Sequence, residues 1–300
     1  MKIAIIGAGN VGSALANLLI AKKMCKKVTL IDINKNLALG KAIDLAQSAC
    51  ILGVDMQVVG GDNYELIRDF DIVVITAGLP RKQGQSRDDL ALTNAKIVSE
   101  CAQNTAKFAP NSIIIVVTNP LDLMTFVAYK ASKFEAKRVI GMAGELDLAR
   151  LKYEICTKFN TKFSNIDAKC IGLHAQTMIF PISNLKFKNK SLKNKVMTDF
   201  STLENNAKFG GSKIVELMNM SAFYAPAAGV VKIIQAINGS INDILSCCVV
   251  QNDVCIGTLV NIDKNGVKKL IKLKLNKSEK DKFKQNLAEI KAKISKLNLN

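Results

Sequence analysis

The chain has 300 residues, 49% of them hydrophobic, and its 42 basic and 25 acidic side chains leave a net charge of +17. That length buries a sizeable core without disulfide or metal staples and suits two domains, whereas its longest apolar runs, such as IIIVV at 113–117, are far too short to cross a bilayer. The charge is sprinkled as lysines, +4 over residues 1–150 and +13 over 151–300, with no clustering of arginines and aromatics, so solvated faces are expected and neither nucleic acid nor membrane is an expected partner.

The amino terminus, MKIAIIGAGNVG, has a lysine and an apolar run, but glycines interrupt it where a signal peptide needs a continuous apolar core. It reads as a first strand in a cytoplasmic protein. KIAIIG (2–7), KVTLID (27–32), DIVVIT (71–76) and SIIIVVT (112–118) are short, near-continuous apolar runs separated by helical stretches. Such runs are strands of a parallel sheet covered on both faces, which predicts a Rossmann-type doubly wound α/β domain. After about residue 145 the rhythm changes. Paired strands are expected at KCIGL and TMIFP, and SCCVVQ, VCIGTLVNI and GVKKLIKLKL predict an antiparallel meander. A closing helix is expected to open at Ser278, with Asp281 three residues on and a stripe of Phe283, Leu287, Ile290, Ile294 and Leu297. The expected division is a dinucleotide-binding domain over 1–145 and an α+β substrate domain over 146–300.

Eight cysteines are scattered without a CxxC pair, and there is one histidine to help bind a metal. They read as small buried hydrophobes, with no metal site expected. Of the 42 basic residues only five are arginine, at 68, 81, 87, 138 and 150. In a chain that uses lysine so freely, those arginines are candidates for work that needs a planar guanidinium, such as a two-pronged grip on a carboxylate. The single histidine, His174 in GLHAQTM, is on its own residues open between a packed core position and a proton-transfer group.

Gly7, Gly9 and Gly12 spell GAGNVG directly after the first strand and before the helical run SALANLLIA. Glycines in that setting permit a tight turn, close approach of backbone to a pyrophosphate, and a helix start that binds anions. Asp32 ends the second strand, 20 residues after Gly12. A carboxylate there accepts from both ribose hydroxyls and repels a 2′-phosphate, which favours NAD over NADP.

The segments TAGLPRKQGQSRDDL (76–90), TNPLD (118–122) and GMAGELDLAR (141–150) follow strand ends, where ligands of such folds gather. With GAGNVG, LID and GLH they form an ordered set through which the whole chain resembles the NAD-dependent malate dehydrogenases of the lactate-dehydrogenase-like branch. The resemblance implies reversible oxidation of (S)-malate to oxaloacetate, a step of the tricarboxylic acid cycle, by a homodimer or homotetramer. It implies His174 as the proton-transfer group, Asp147 as its orienting carboxylate and Arg150, on the same helical face as Asp147, as the grip on the reacting-end carboxylate. Arg87 matches the loop arginine that polarises the carbonyl, and Asn119 an asparagine that contacts the substrate oxygen. Arg81, six residues before Arg87, stands where lactate dehydrogenases carry glutamine and malate dehydrogenases an arginine for the second carboxylate. Asn10, Val11, Thr76, Ala77, Gly78, Asn94, Val117 and Asn119 are further candidates for contact with the cofactor.

The chain departs from the family pattern after the histidine, where Ala175 and Gln176 replace glycine and aspartate, and in the 80–90 loop, which has Gln83 and Gln85. The first change bears on loop shape and pH optimum, the second on loop stiffness and substrate tolerance. Residues 210–229 resemble the family helix that closes the pocket, with Ser221 and Ala222 near the ligand. Other readings are a lactate dehydrogenase, against which Arg81 speaks, and a non-enzymatic NAD-binding or basic nucleic-acid-binding protein, for which His174 and Asp147 are unnecessary.

Overall fold

A computed structural model describes residues 1–80, 87–188 and 190–297, with the side chains of Arg87 and Asp88 outside the description. Arg81, Gln83 and Gln85 therefore lie outside the described residues. Six parallel strands build the first half: β1 (Lys2–Ile6), β2 (Lys27–Ile31), β3 (Gln57–Gly61), β4 (Ile72–Ile75), β5 (Ile113–Val116) and β6 (Val139–Gly141). Their order is β3-β2-β1-β4-β5-β6, and every neighbouring pair is parallel. The crossovers run through α1 (Asn10–Ala21), α2 (Lys35–Ile51), α3 (Arg87–Phe108) and α4 (Leu121–Ser132).

The near-continuous apolar runs follow from burial on both faces. Ala4, Ile6, Val73, Ile75, Ile114 and Val116 point into one core with α3 and α4, while Ile3, Ile5, Ile72, Val74, Ile113 and Ile115 point into the other with α1 and α2. Each fully buried isoleucine among them contributes roughly 1.5–3 kcal/mol of hydrophobic stabilisation.

The second half holds α5 (Gly144–Phe159), α6 (Lys190–Met218), α7 (Tyr224–Ile237), α8 (Lys277–Ser295), a small pair β7 (Ile166–Asp167) and β8 (Lys186–Phe187), and the meander β9 (Leu245–Gln251), β10 (Val254–Asp263) and β11 (Gly266–Ile271). The meander pairs antiparallel with β6 through Ile140 with Val249 and Gly141 with Cys248, which extends the sheet to nine strands. The joint is tight: a Cβ on Gly141 would stand 2.4 Å from Thr125 Oγ1 and 2.9 Å from Cys248 Cβ. Neither β3 nor β6 was expected, because glycines end the first and the second is three residues long.

Three expectations are corrected. KCIGL and TMIFP are not strands; only Ile171 with Ile179 and Gly172 with Gly257 pair there. The extended run breaks at Gly172, which has φ +86°, and side chains of other elements take the next two main-chain donors, Leu173 and His174. The closing helix is capped at Asn276 instead of Ser278: Asn276 Oδ1 accepts from the Glu279 N–H and Glu279 Oε2 from the Asn276 N–H, both at 2.9 Å. Its stripe does pack as expected, with Ile290 and Leu297 in the first core and Phe283, Leu287 and Ile294 against it. Residues 210–229 are the end of α6 and the start of α7, parted at Asn219, whose φ of +54° ends the first helix.

Candidate active site

The turn after β1 is shaped by its glycines. Gly7 has φ +108°, and a Cβ on it would meet Thr76 Oγ1 at 2.6 Å. One on Gly12 would meet the Gly7 carbonyl oxygen at 2.0 Å, so α1 starts against the turn. Gly9 faces open space and is the N-cap of α1 without a side-chain bond, so the first N–H groups of the helix remain for an anion. Asn10 and Val11 form that first turn, with Asn10 Nδ2 3.6 Å from Met220 Sδ of the second half. Asp32 Oδ2 accepts from the Ala8 N–H at 2.8 Å and Oδ1 from Asn34 N–H at 2.9 Å. The carboxylate thus stands at the glycine turn with a lone pair to spare on each oxygen, and next to it Ile33 is fully exposed. An uncapped helix start, space over Gly9 and a carboxylate with unused lone pairs at the turn together fit NAD.

Further along the strand ends, Thr76 Oγ1 donates to the Gly7 carbonyl at 3.0 Å and Thr118 Oγ1 to the Ala77 carbonyl at 2.7 Å. A Cβ on Gly78 would lie 2.5 Å from Thr118 Cγ2, so the loops after β4 and β5 touch there. Asn94 is buried between them: its Oδ1 accepts from Leu79 N–H at 2.8 Å, and Nδ2 donates to the carbonyls of Leu79 at 3.2 Å and Asn119 at 2.8 Å. Its amide therefore acts through the main chain of these loops. Val117 is half-buried and Asn119 exposed at the end of β5.

The histidine loop meets α5 here. Gly144 lets the helix start against β9, where a Cβ would stand 2.6 Å from Ser246 Cβ, and Glu145 fixes that contact by accepting from Ser246 N–H at 2.9 Å and Lys232 Nζ at 2.7 Å. Asp147, 1% exposed, then faces His174: its Oδ2 is 2.8 Å from Nδ1, and its Oδ1 accepts from Arg150 Nη1 at 3.3 Å. Nδ1 is thereby the protonated nitrogen, leaving Nε2 to give or take a proton. Burial disfavours the imidazolium, but the charge and hydrogen bond of Asp147, with the charge of Asp122, outweigh burial and the repulsion of Arg150, so the His174 pKa is raised. Arg150 lies against the paired glycines of α6, 3.5 Å from the Cβ position of Gly210 at Cδ and 3.0 Å from that of Gly211 at Nη2.

His174, Asp147 and Arg150 therefore form one chain of contacts, and the Ala175–Gln176 change leaves it intact: Ala175 packs against the first core and its N–H donates to the Leu173 carbonyl at 2.8 Å. Ser221 is exposed and Ala222 half-buried in the break between α6 and α7. Two further residues of the site had no role in the sequence. Asn286 of α8 accepts from Leu173 N–H at 2.9 Å, and Asp122 of α4 accepts from His174 N–H at 2.7 Å. Asp122 follows Asn119 by three residues, so the TNPLD segment is tied to the histidine loop. Only its closeness to that motif could have pointed to it.

A doubly wound sheet with an NAD-shaped turn at its switch point, and a carboxylate–histidine pair beside it, defines a dinucleotide-dependent oxidoreductase. The chain belongs to the lactate/malate dehydrogenase family: residues 1–141 match its NAD binding domain and 144–298 its alpha/beta C-terminal domain. It is an NAD-dependent enzyme of that family. It is 35% identical over 298 residues to the malate dehydrogenase of Bacteroides fragilis, covering 96% of this chain and 95% of that one. It is similar to the crystal structure of Cryptosporidium parvum malate dehydrogenase, with TM-score 0.93, 35% identity and 99% and 98% of the two chains covered. The Archaeoglobus fulgidus malate dehydrogenase in complex with NADH superposes with TM-score 0.91 at 30% identity, covering 99% of each chain.

Proposed function

We propose that the chain reversibly oxidises (S)-malate to oxaloacetate with NAD. The observation that carries this reading is the Asp147 carboxylate held between His174 Nδ1 at 2.8 Å and Arg150 Nη1 at 3.3 Å, which joins a proton-transfer group to a carboxylate-binding one. Bound NAD supplies the acceptor for the hydride of malate carbon 2. His174 takes the hydroxyl proton at Nε2, and Asp147 steadies the imidazolium that results. Arg150, with donors to spare beyond Asp147, grips the carboxylate next to the reacting carbon. Asn119 meets the substrate oxygen. Arg87 polarises the carbonyl when the 80–90 loop closes, and Arg81 binds the second carboxylate, which in a dry pocket without a cation would be costly. Asp32 selects NAD over NADP, and the exposed Ile33 covers the adenine. We assign the chain to residues 1–145 for the cofactor and 146–300 for substrate, in a cytoplasmic homodimer or homotetramer working in the tricarboxylic acid cycle.

The pH dependence tests the histidine's part. Reduction of oxaloacetate needs the imidazolium and oxidation of malate needs the neutral ring. With the His174 pKa raised above its ordinary 6.5, kcat/KM for oxaloacetate is full at low pH and falls about tenfold per pH unit above the midpoint, while kcat/KM for malate rises to that same midpoint and levels off. Profiles that run in the same direction, or that share no midpoint above 6.5, would contradict it.

A further inference from the structure

The reading above leaves one buried carboxylate at the histidine without a part in the reaction. Asp122 sits in the first turn of α4 and is 6% exposed. Its Oδ2 accepts from the His174 main-chain N–H at 2.7 Å, and its other oxygen is buried with only the weak thiol donor of Cys248 facing the carboxylate. A neutral acceptor would serve that N–H equally well without the cost of burying a charge. The negative charge itself is what needs a purpose, and the cation within its reach is the imidazolium of His174.

We propose that Asp122 is a positioning residue for His174: from the first half of the chain it fixes the histidine's main chain, and its charge, added to that of Asp147, governs how readily the imidazole holds a proton. The proposal rests on His174 being the proton-transfer group. His174 is faced by Asp147 and Arg150 of α5 and by Asp122 of α4, so two carboxylates favour the imidazolium against one guanidinium. Asp122 is faced in turn by His174, by Asp147, and by the Cys248 thiol of β9 with Cys255 of β10 beyond it. Burial pushes the Asp122 carboxyl up to about 6, against the pull of His174, its N–H and Cys248. The carboxylate is therefore ionised at neutral pH and is neutralised as the medium turns mildly acidic, which weakens its support of the imidazolium there. No such coupling follows if Asp122 is only a loop anchor.

The chain's single histidine allows a direct test, because an imidazole NMR titration reads His174 alone. Asp122→Asn keeps an oxygen for the His174 N–H and removes the charge; Asp122→Ala removes both. In D122N the imidazole midpoint moves to lower pH, and the pH profile of oxaloacetate reduction moves with it by the same interval, while KM for oxaloacetate changes by less than about twofold. D122A shows the same displacement and a further loss of about tenfold or more in kcat from the loosened loop. An imidazole that titrates in D122N as in the parent protein overturns the proposal, as does a rise in KM with an undisplaced profile. If His174→Asn retains activity, it is the proton-transfer reading that fails, and the D122N titration still decides whether Asp122 acts on the imidazole.

Discussion

Replacing His174 with asparagine lowers kcat in both directions by about 10²–10⁴-fold, the ordinary contribution of a general acid–base group. The size follows from geometry. Asp147 fixes Nδ1 at 2.8 Å and so assigns Nε2 to the substrate, and the other buried carboxylate beside the ring, Asp122, bonds the main chain of His174 and not a reacting atom. Asparagine can still donate to Asp147, but it cannot exchange a proton at neutral pH. Asp147 keeps its Arg150 partner at 3.3 Å, so the variant folds without an unpaired buried charge. NADH affinity, set at the glycine turn and Asp32, is unaffected. Steady-state rates in both directions with an NADH fluorescence titration check this, and a loss below about tenfold in kcat would assign the proton to another group or to water.

Arg150→Lys, conservative in charge, lowers kcat/KM for oxaloacetate by about 10²–10³-fold, about 3–4 kcal/mol, because the two-pronged grip on the substrate carboxylate is lost although the charge is kept. A guanidinium can hold Asp147 through one nitrogen and present two more donors to a substrate carboxylate, whereas an ammonium on a different stem cannot span both. The site is also cut to a planar group: Gly210 and Gly211 leave Cβ positions only 3.5 and 3.0 Å from the Arg150 side chain. The lysine variant also leaves Asp147 with His174 as its remaining partner, which favours the imidazolium and moves the pH profiles of both directions to higher pH. KM and kcat measured across pH separate the two effects, and a variant within about fivefold of the parent would remove Arg150 from substrate binding.

Much of this was legible in the sequence because it rests on local chemistry. A glycine turn between a strand and a helix has few alternatives, since Gly7 needs its positive φ and Gly12 its missing Cβ. The unbroken apolar runs could only be strands buried twice over, which the two cores show. Arginine scarcity drew attention to Arg150, and its three-residue spacing from Asp147 gave a helical pair that the structure realises. What was not legible depends on distant pairing. Asp122 and His174 are 52 residues apart, and Asn286 lies 113 residues from Leu173, so no spacing rule joins them. The same long-range bonds explain why KCIGL is no strand despite its apolar pattern: Ile171 and Gly172 do donate to main-chain carbonyls, but the next two donors, Leu173 and His174, are claimed by the side chains of Asn286 and Asp122. The cap of α8 was misplaced by two residues because Ser278 and Asn276 both suit an N-cap, and Glu279 decides between them by closing the box with Asn276. The joining of β9 to β6 likewise depends on Gly141 and on packing that appears only once both halves are folded.

The most direct measurement is the initial rate of NADH oxidation by the purified protein with oxaloacetate, set beside pyruvate and beside oxaloacetate with NADPH. The account predicts that kcat/KM for oxaloacetate exceeds that for pyruvate by at least about 10²-fold, since a cation built for a second carboxylate is left unpaired by pyruvate, and that NADPH is a poor substitute beside Asp32. A preference for pyruvate would contradict the part given to Arg81, and folded protein that reduces neither keto acid would contradict the reaction itself.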